Sequence, residues 1–267
     1  MTSEPYARYL RLLGIDTVPS GLEGLRQIVR RHLFRVPFEN VSKLLLFARE
    51  GAGRRFSLSE FLDGIEHYDL GGTCYNSNPH LIGLLRHLGY DADLLAADMT
   101  VPNCHTCIRV RIDGVPYHVD CGYGGPFREP MRLDCVPHDF FEGRLRYVLE
   151  HNAHPHAFEM KVLSGEQRVH GYVVHDPPQV PEFFDPALVN SFLPDRTFMT
   201  HLRLVKIFED HSVELFDRNL SIHRSGQTTL TELHTLAEIK SAIAEELAMP
   251  RCPVDSILGQ VPYLPKA

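Results

Sequence analysis

Apolar residues recur every three or four positions through the first third of the chain, and from about Tyr90 the period shortens to two, so helices come first and strands follow. Leu22, Leu25, Ile28, Val29 and Leu33 share one helical face that ends at Pro37, and Ser20-Gly21-Leu22-Glu23 ahead of it has the form of a capping box. Residues 6–13 read as a shorter helix stopped by Gly14, and Ser57-Leu58-Ser59-Glu60 opens another with Phe61, Leu62 and Ile65 inward. Leu81, Leu84, Leu85 and Leu88 stripe a further helix closed by Gly89. If that helix began near Cys74, its positive end would favour a thiolate there. Asn78-Pro79, however, reads as an N-cap and first helical residue, which leaves Cys74 on a turn just ahead.

Strands are expected at 92–99, 107–112, 115–120, 145–149, 157–162 and 167–174, separated by Gly, Pro, Asp and Asn; regular short strands of this kind predict a small antiparallel barrel. After a proline-rich connector at 176–194, strands at 202–208, 213–217 and 220–223 precede a helix capped by Thr235-x-x-Glu238. The fold class is therefore α/β in the α+β sense. It comprises an N-terminal helical bundle (1–88), a central antiparallel β-barrel (89–190) and a C-terminal sheet-plus-helix lid (191–267).

One hairpin carries chemistry. Asp113-Gly114 is a two-residue turn signal that pairs Ile112 with Val115 and, counting outward, Cys107 with Asp120 and His105 with Gly122. His105 then shares a face with Asp120, as diagonal neighbours roughly 7 Å apart. A cysteine nucleophile needs a base, and the base needs an acid to orient it. Cys74, after Gly71-Gly72, is the thiol that would complete a cysteine-protease-like Cys-His-Asp site.

Composition narrows the field. The 267 residues are 43% hydrophobic and 23% charged, which suits a globular chain with a sizeable core. The net charge of -7 argues against nucleic acid as a partner and requires any anionic cosubstrate to meet locally basic residues. No apolar run is long enough for a membrane helix and no signal-peptide core is present, so no membrane partner and a cytoplasmic location are expected. The six cysteines lack the spacing of a disulfide framework. Cys104-x-x-Cys107, with His118 and Cys121 nearby, invites a metal reading, but residues three apart on a strand face opposite ways, so no metal is assigned.

The chain resembles the arylamine N-acetyltransferases. The likeness rests on Gly71-Gly72-x-Cys74-Tyr75, a His some thirty residues on, Val119-Asp120-x-Gly122-Tyr123-Gly124, and Val36-Pro37-Phe38-Glu39-Asn40. The run from Asp185 to Leu202 and Leu215-Phe216-Asp217-Arg218 extend it over most of the chain. The resemblance implies an acyltransferase that moves an acetyl group from acetyl-CoA to an arylamine or arylhydrazine by a ping-pong route through a Cys74 thioester. It makes His105 the base and Asp120 its orienting acid. Phe38, Tyr75 and Tyr123 would bind the acceptor, while Gly122, Gly124, Gly125 and Ser191 would lie on the coenzyme side. Within the same fold, an amide synthase acting on a carrier-bound acyl chain and a catalytically silent binding module are the alternatives. The acceptor and the oligomeric state stay open.

Two positions depart from the family pattern: Leu70 stands where Arg is usual and Asn76 where Glu is usual, so Glu39 needs other hydrogen bonds. Arg54, Arg55 and Arg128 are candidate CoA-phosphate partners by charge alone. Thr197, near the matched C-terminal motif, is read as a coenzyme contact or, at least equally, as a structural hydrogen-bonding residue. His80 and His87 are expected on the surface, and His151, His154 and His156 on an exposed turn.

Overall fold

A computed structural model describes residues 4–153 and 157–265. The helical first third forms α1 (Glu4–Leu12), α2 (Gly21–Arg35), α3 (Val41–Glu50), α4 (Leu58–Tyr68) and α5 (Cys74–His87), with a short strand, β1 (Phe38–Glu39), between α2 and α3. The Ser57 capping box closes as expected, its hydroxyl accepting from Glu60 N at 3.2 Å while Glu60 accepts from Ser57 N at 2.8 Å. Ser20 makes no side-chain cap bond, because Gly21 enters α2 from the left-handed region at φ 65°. α3 escaped the pattern: Leu44-Leu45-Leu46-Phe47 is an unbroken apolar run with no polar period to read.

α5 begins ahead of Asn78-Pro79. Thr73 is its N-cap and Cys74 its first residue, and Pro79 lies inside the helix. His32 pins this helix from behind: its Nε2 donates to Ser77 Oγ at 2.9 Å, Ser77 donates onward to Cys121 O at 3.0 Å, and Tyr9 OH donates to His32 Nδ1 at 2.9 Å.

The second part is an eight-stranded antiparallel sheet curled into a nearly closed barrel. Its strands are β2 (Asp91–Asp98), β3 (His105–Ile112), β4 (Val115–Val119), β5 (Met131–Arg132), β6 (His138–Glu142), β7 (Leu145–His151), β8 (Phe158–Ser164) and β9 (Gln167–Gln179), in the order β5-β4-β3-β2-β9-β8-β7-β6. His138 Nε2 reaches Arg132 O at 2.7 Å between the two edge strands. Alternation serves two cores at once. Leu94, Ala96, Ile108 and Val110 face the helices, whereas Leu95, Ala97 and Cys107 fill the barrel.

The Asp113-Gly114 turn has both residues at positive φ (51° and 79°), the type I′ form, and the ladder runs from Ile112 with Val115 to Ile108 with Val119. It stops there. Cys121 N donates to Asn78 Oδ1 at 3.0 Å and Gly122 N to Asp120 Oδ1 at 2.9 Å, so the expected pairings of Cys107 with Asp120 and His105 with Gly122 give way to side-chain bonds.

The last part holds two short helices, α6 (Asp185–Asn190) and α7 (Thr197–Thr200), then β10 (Arg203–Ile207), β11 (His211–Phe216), β12 (Asn219–Arg224), β13 (Gln227–Glu232) and α8 (Leu236–Glu245), capped by the Thr235–Glu238 box. β1 adds to the edge of this sheet, Phe38 opposite Val205 and Glu39 opposite Leu204. The helical and C-terminal parts therefore share one core, which runs from Tyr9 to Leu264. Among the described residues no helix is long and apolar enough to cross a membrane. His154 and His156 lie outside the described residues.

Candidate active site

Three consecutive residues tie the parts together around the glycine pair. Phe38 points into the central cavity, and Asn40 gives its amide protons to Phe198 O (2.9 Å) and His201 O (2.7 Å) while accepting from Arg203 N (2.8 Å). Between them Glu39, fully buried, accepts from the backbone N–H of Gly72 (2.5 Å), Ser42 (2.8 Å) and Gly71 (3.1 Å). Burial pushes its carboxyl up, and those donors offset only part of the rise. Gly71 is required here, since a Cβ would lie 2.2 Å from Pro37 O. Leu70 is buried apolar surface, and Asn76 Oδ1 accepts from Phe56 N at 3.2 Å. The neighbourhood that lacks both charged groups is thus closed by backbone donors.

Beyond this clamp the structure brings Cys74, His105 and Asp120 together. His105 Nε2 lies 2.7 Å from Asp120 Oδ2, with both residues 1% exposed. The Cys74 sulfur borders the same cavity as the imidazole, lies 3.9 Å from Cys104 O, and adds to the charge that the ring carries. Burial by itself lowers the His105 pKa, but the charge and hydrogen bond of Asp120, with Cys74 adding to them, raise it to about 10. Burial works against the Asp120 carboxylate as well. His105, His118 and the Asn78 amide nevertheless hold it below its ordinary value. Such a ring keeps its extra proton at neutral pH and is oriented by Asp120, on the cavity that Cys74 also borders.

Asn78 is the residue the sequence hid. Its amide donates to Thr106 O (2.5 Å) and Asp120 Oδ1 (3.0 Å) and its oxygen accepts from Cys121 N, so one side chain on α5 holds the ends of β3 and β4. Thr106 Oγ1 answers with a bond to Cys74 O at 2.9 Å. An Asn before Pro reads locally as a cap, and no local signal discloses partners so distant in the chain. Asn78→Ala is expected to cost about 2–4 kcal/mol in urea unfolding, because three buried partners lose their bonds, and to lower kcat by at least about tenfold. Tyr172 was also missed; its ring lies 4.8 Å from that of His105, and its hydroxyl bonds His118 Nε2 at 2.9 Å. Burial drives His118 down to about 4.

A cavity of about 260 Å3 opens onto Cys74 and His105. Phe38, Tyr75, Tyr123, Gly122 and Ser191 border it. Tyr75 OH donates to Cys104 O at 3.1 Å, and Tyr123 OH meets His170 Nδ1. Gly122 must be glycine, a Cβ there falling 2.7 Å from Cys74 Cα. Gly124 and Gly125 stand behind the lining, packed on Phe38 and on Tyr123 with Phe127. Ser191 donates to Leu188 O at 2.6 Å and accepts from Lys43 Nζ.

The three arginines chosen by charge are engaged elsewhere. Arg54 pairs with Glu50 and Glu60, Arg55 with Asp185 and Glu182, and Arg128 with Glu142. Among the described residues, the lysine and arginine side chains that border the cavity are Lys43, Arg196 and Arg203. His80 is not on the surface as expected; it stacks on Phe61 at 4.7 Å and bonds Phe56 O at 3.1 Å. Cys107 is buried in the barrel core, and among the described residues no three His, Cys, Asp or Glu side chains gather as a metal set.

A family model described as N-acetyltransferase matches residues 21–250. The chain is similar to an arylamine N-acetyltransferase of Mycolicibacterium smegmatis, 26% identical over 254 residues and 90% of each chain. Its fold is similar to that of the Nocardia farcinica arylamine N-acetyltransferase, with a TM-score of 0.79 and 24% identity over 97% of this chain and 94% of that one. It is similar also to the Mycobacterium marinum arylamine N-acetyltransferase in complex with CoA, with a TM-score of 0.79 and 22% identity over 94% of each. With the family model spanning most of its length and relatives matched nearly end to end, the chain belongs to the arylamine N-acetyltransferase family.

Proposed function

We propose that this protein transfers an acetyl group from acetyl-CoA to an arylamine through a thioester on Cys74. One observation carries the reading: a sulfur at a helix N-terminus and an imidazole bonded to a buried carboxylate share the wall of one cavity lined by aromatic rings. The Mycobacterium marinum relative, which holds CoA, supports the choice of donor.

In the first half-reaction the thiol proton already rests on His105 Nδ1, and the sulfur attacks the acetyl carbonyl carbon as the thiolate. The carbon–sulfur bond to CoA breaks, and the imidazolium returns its proton to the departing CoA sulfur. In the second half the amine nitrogen attacks the acetyl group on Cys74, His105 accepts the amine proton and keeps it, and the Cys74 sulfur departs from the amide as the thiolate. Asp120 keeps Nε2 protonated throughout, so Nδ1 is always the reacting nitrogen. Phe38, Tyr75 and Tyr123 hold the aromatic acceptor against the thioester. Gly122 lets the wall approach Cys74, while Gly124 and Gly125 set the positions of the rings in front of them. Ser191 borders the coenzyme side.

Initial rates of CoA thiol release, measured with acetyl-CoA and 4-methylaniline varied together, test this. Parallel double-reciprocal lines are expected, because the two substrates meet the enzyme in separate steps. Intersecting lines, or no release of thiol, contradict it.

A further inference from the structure

Resting on the acyl-transfer reading above, we propose that the cavity is built to receive a carboxylate and that Lys43 is the specificity-determining residue that pairs with it. Lys43 sits in the first turn of α3, 6% exposed, and still borders the cavity that holds Cys74. Its Nζ gives one hydrogen bond to Ser191 Oγ at 2.5 Å and lies 3.8 Å from the centre of the Phe192 ring. Because the Ser191 proton is committed to Leu188 O, that hydroxyl can only accept from Lys43. An ammonium carries three donors, and with one on Ser191 and the Phe192 ring beside it, donor capacity is left over at a residue that lines the cavity.

No acid answers this charge. Among the described residues no carboxylate pairs with Lys43, and none borders the cavity. Arg203 strengthens the sign of the site: one end of its guanidinium meets Glu214 at 3.1 Å, while its Nε is buried without a partner. Burial pushes Lys43 down to about 7, and the nearby Cys74 only partly resists. A desolvated cation without an acid is costly, and Met would pack there at less cost, so packing does not account for it. A ligand carboxylate supplies the missing charge.

The carboxylate has two routes in: on the acceptor, as in an aminobenzoate, or on the acyl group, as in a dicarboxylic monothioester. Wild type, Lys43→Met and Lys43→Arg are compared in two arms. One measures acetyl transfer to 4-aminobenzoate against 4-aminobenzamide; the other measures Cys74 acylation by succinyl-CoA against butyryl-CoA. In one arm wild type should prefer the acid by roughly 10- to 100-fold in kcat/KM, mostly through KM. The ratio should fall to about one in Lys43→Met and recover in part in Lys43→Arg, a pattern that a purely structural lysine does not produce. Calorimetric binding of 4-aminobenzoate and of succinate needs no turnover. Lys43-dependent binding without any thioester would keep this inference and remove the proposed reaction. Equal treatment of acid and neutral ligands in every arm, or a preference that persists in Lys43→Met, overturns it.

Discussion

Replacing Asp120 with Asn is expected to lower kcat/KM for acetyl transfer by about 10³- to 10⁴-fold while the chain still folds. The retained oxygen can still accept from Asn78 and Gly122. The new amide group faces His105 Nε2 and offers a proton where the carboxylate took one. The imidazole must then carry its proton on Nδ1, toward the sulfur, and cannot act as the base. The same variant has a pH signature. His105 is raised from 6.5 to about 10 in the fold, so its pairing stabilises fully below pH 6.5, and that contribution is lost as pH rises toward 10. Wild type should therefore lose stability over that window relative to Asp120→Asn. Kinetics and thermal unfolding across pH 6 to 10 read both effects; a loss of activity below about tenfold contradicts the assignment.

Glu39→Ala should be the most damaging single change to stability, about 3–5 kcal/mol in urea unfolding. Three buried backbone N–H groups would lose their acceptor together, and two of them belong to the glycine pair that delivers Cys74. The carboxylate tolerates burial without a cation because its donors include Ser42 N in the first turn of α3, where a helix favours negative charge. Glu39→Gln keeps one acceptor oxygen and should cost about half as much. A cost below about 1 kcal/mol for Glu39→Ala would show that water or a neighbour replaces the carboxylate.

The hairpin was legible because its information is local. A two-residue turn fixes register, register fixes faces, and faces put His105 with Asp120. Even there the last rungs were misjudged, since Asn78, far back in the chain, diverts Cys121 N from the ladder. Of the two starts open for α5, the one at Cys74 is the one found, and the cap signal at Asn78 misleads for the same reason. Thr73 caps the helix without a side-chain bond, while Asn78, the residue that looks like a cap, serves the strands. The short strand at Phe38–Glu39 is stabilised by β10, far along the chain, which no window of sequence contains. The charge of Arg54, Arg55 and Arg128 was visible, but their partners were not. Lys43 falls in a helix that had no periodic signature at all.

The central claim is that folding sets the Cys74 sulfur against an imidazole already oriented by Asp120, and that this sulfur carries the acyl group. Intact-mass and peptide mass spectrometry after brief exposure to acetyl-CoA, with no amine present, tests it most directly. The account predicts one acetyl group on the peptide containing Cys74, none in Cys74→Ala, and its loss when an arylamine is added. An unmodified Cys74, or an acetyl group that stays in place when the amine arrives, would contradict it.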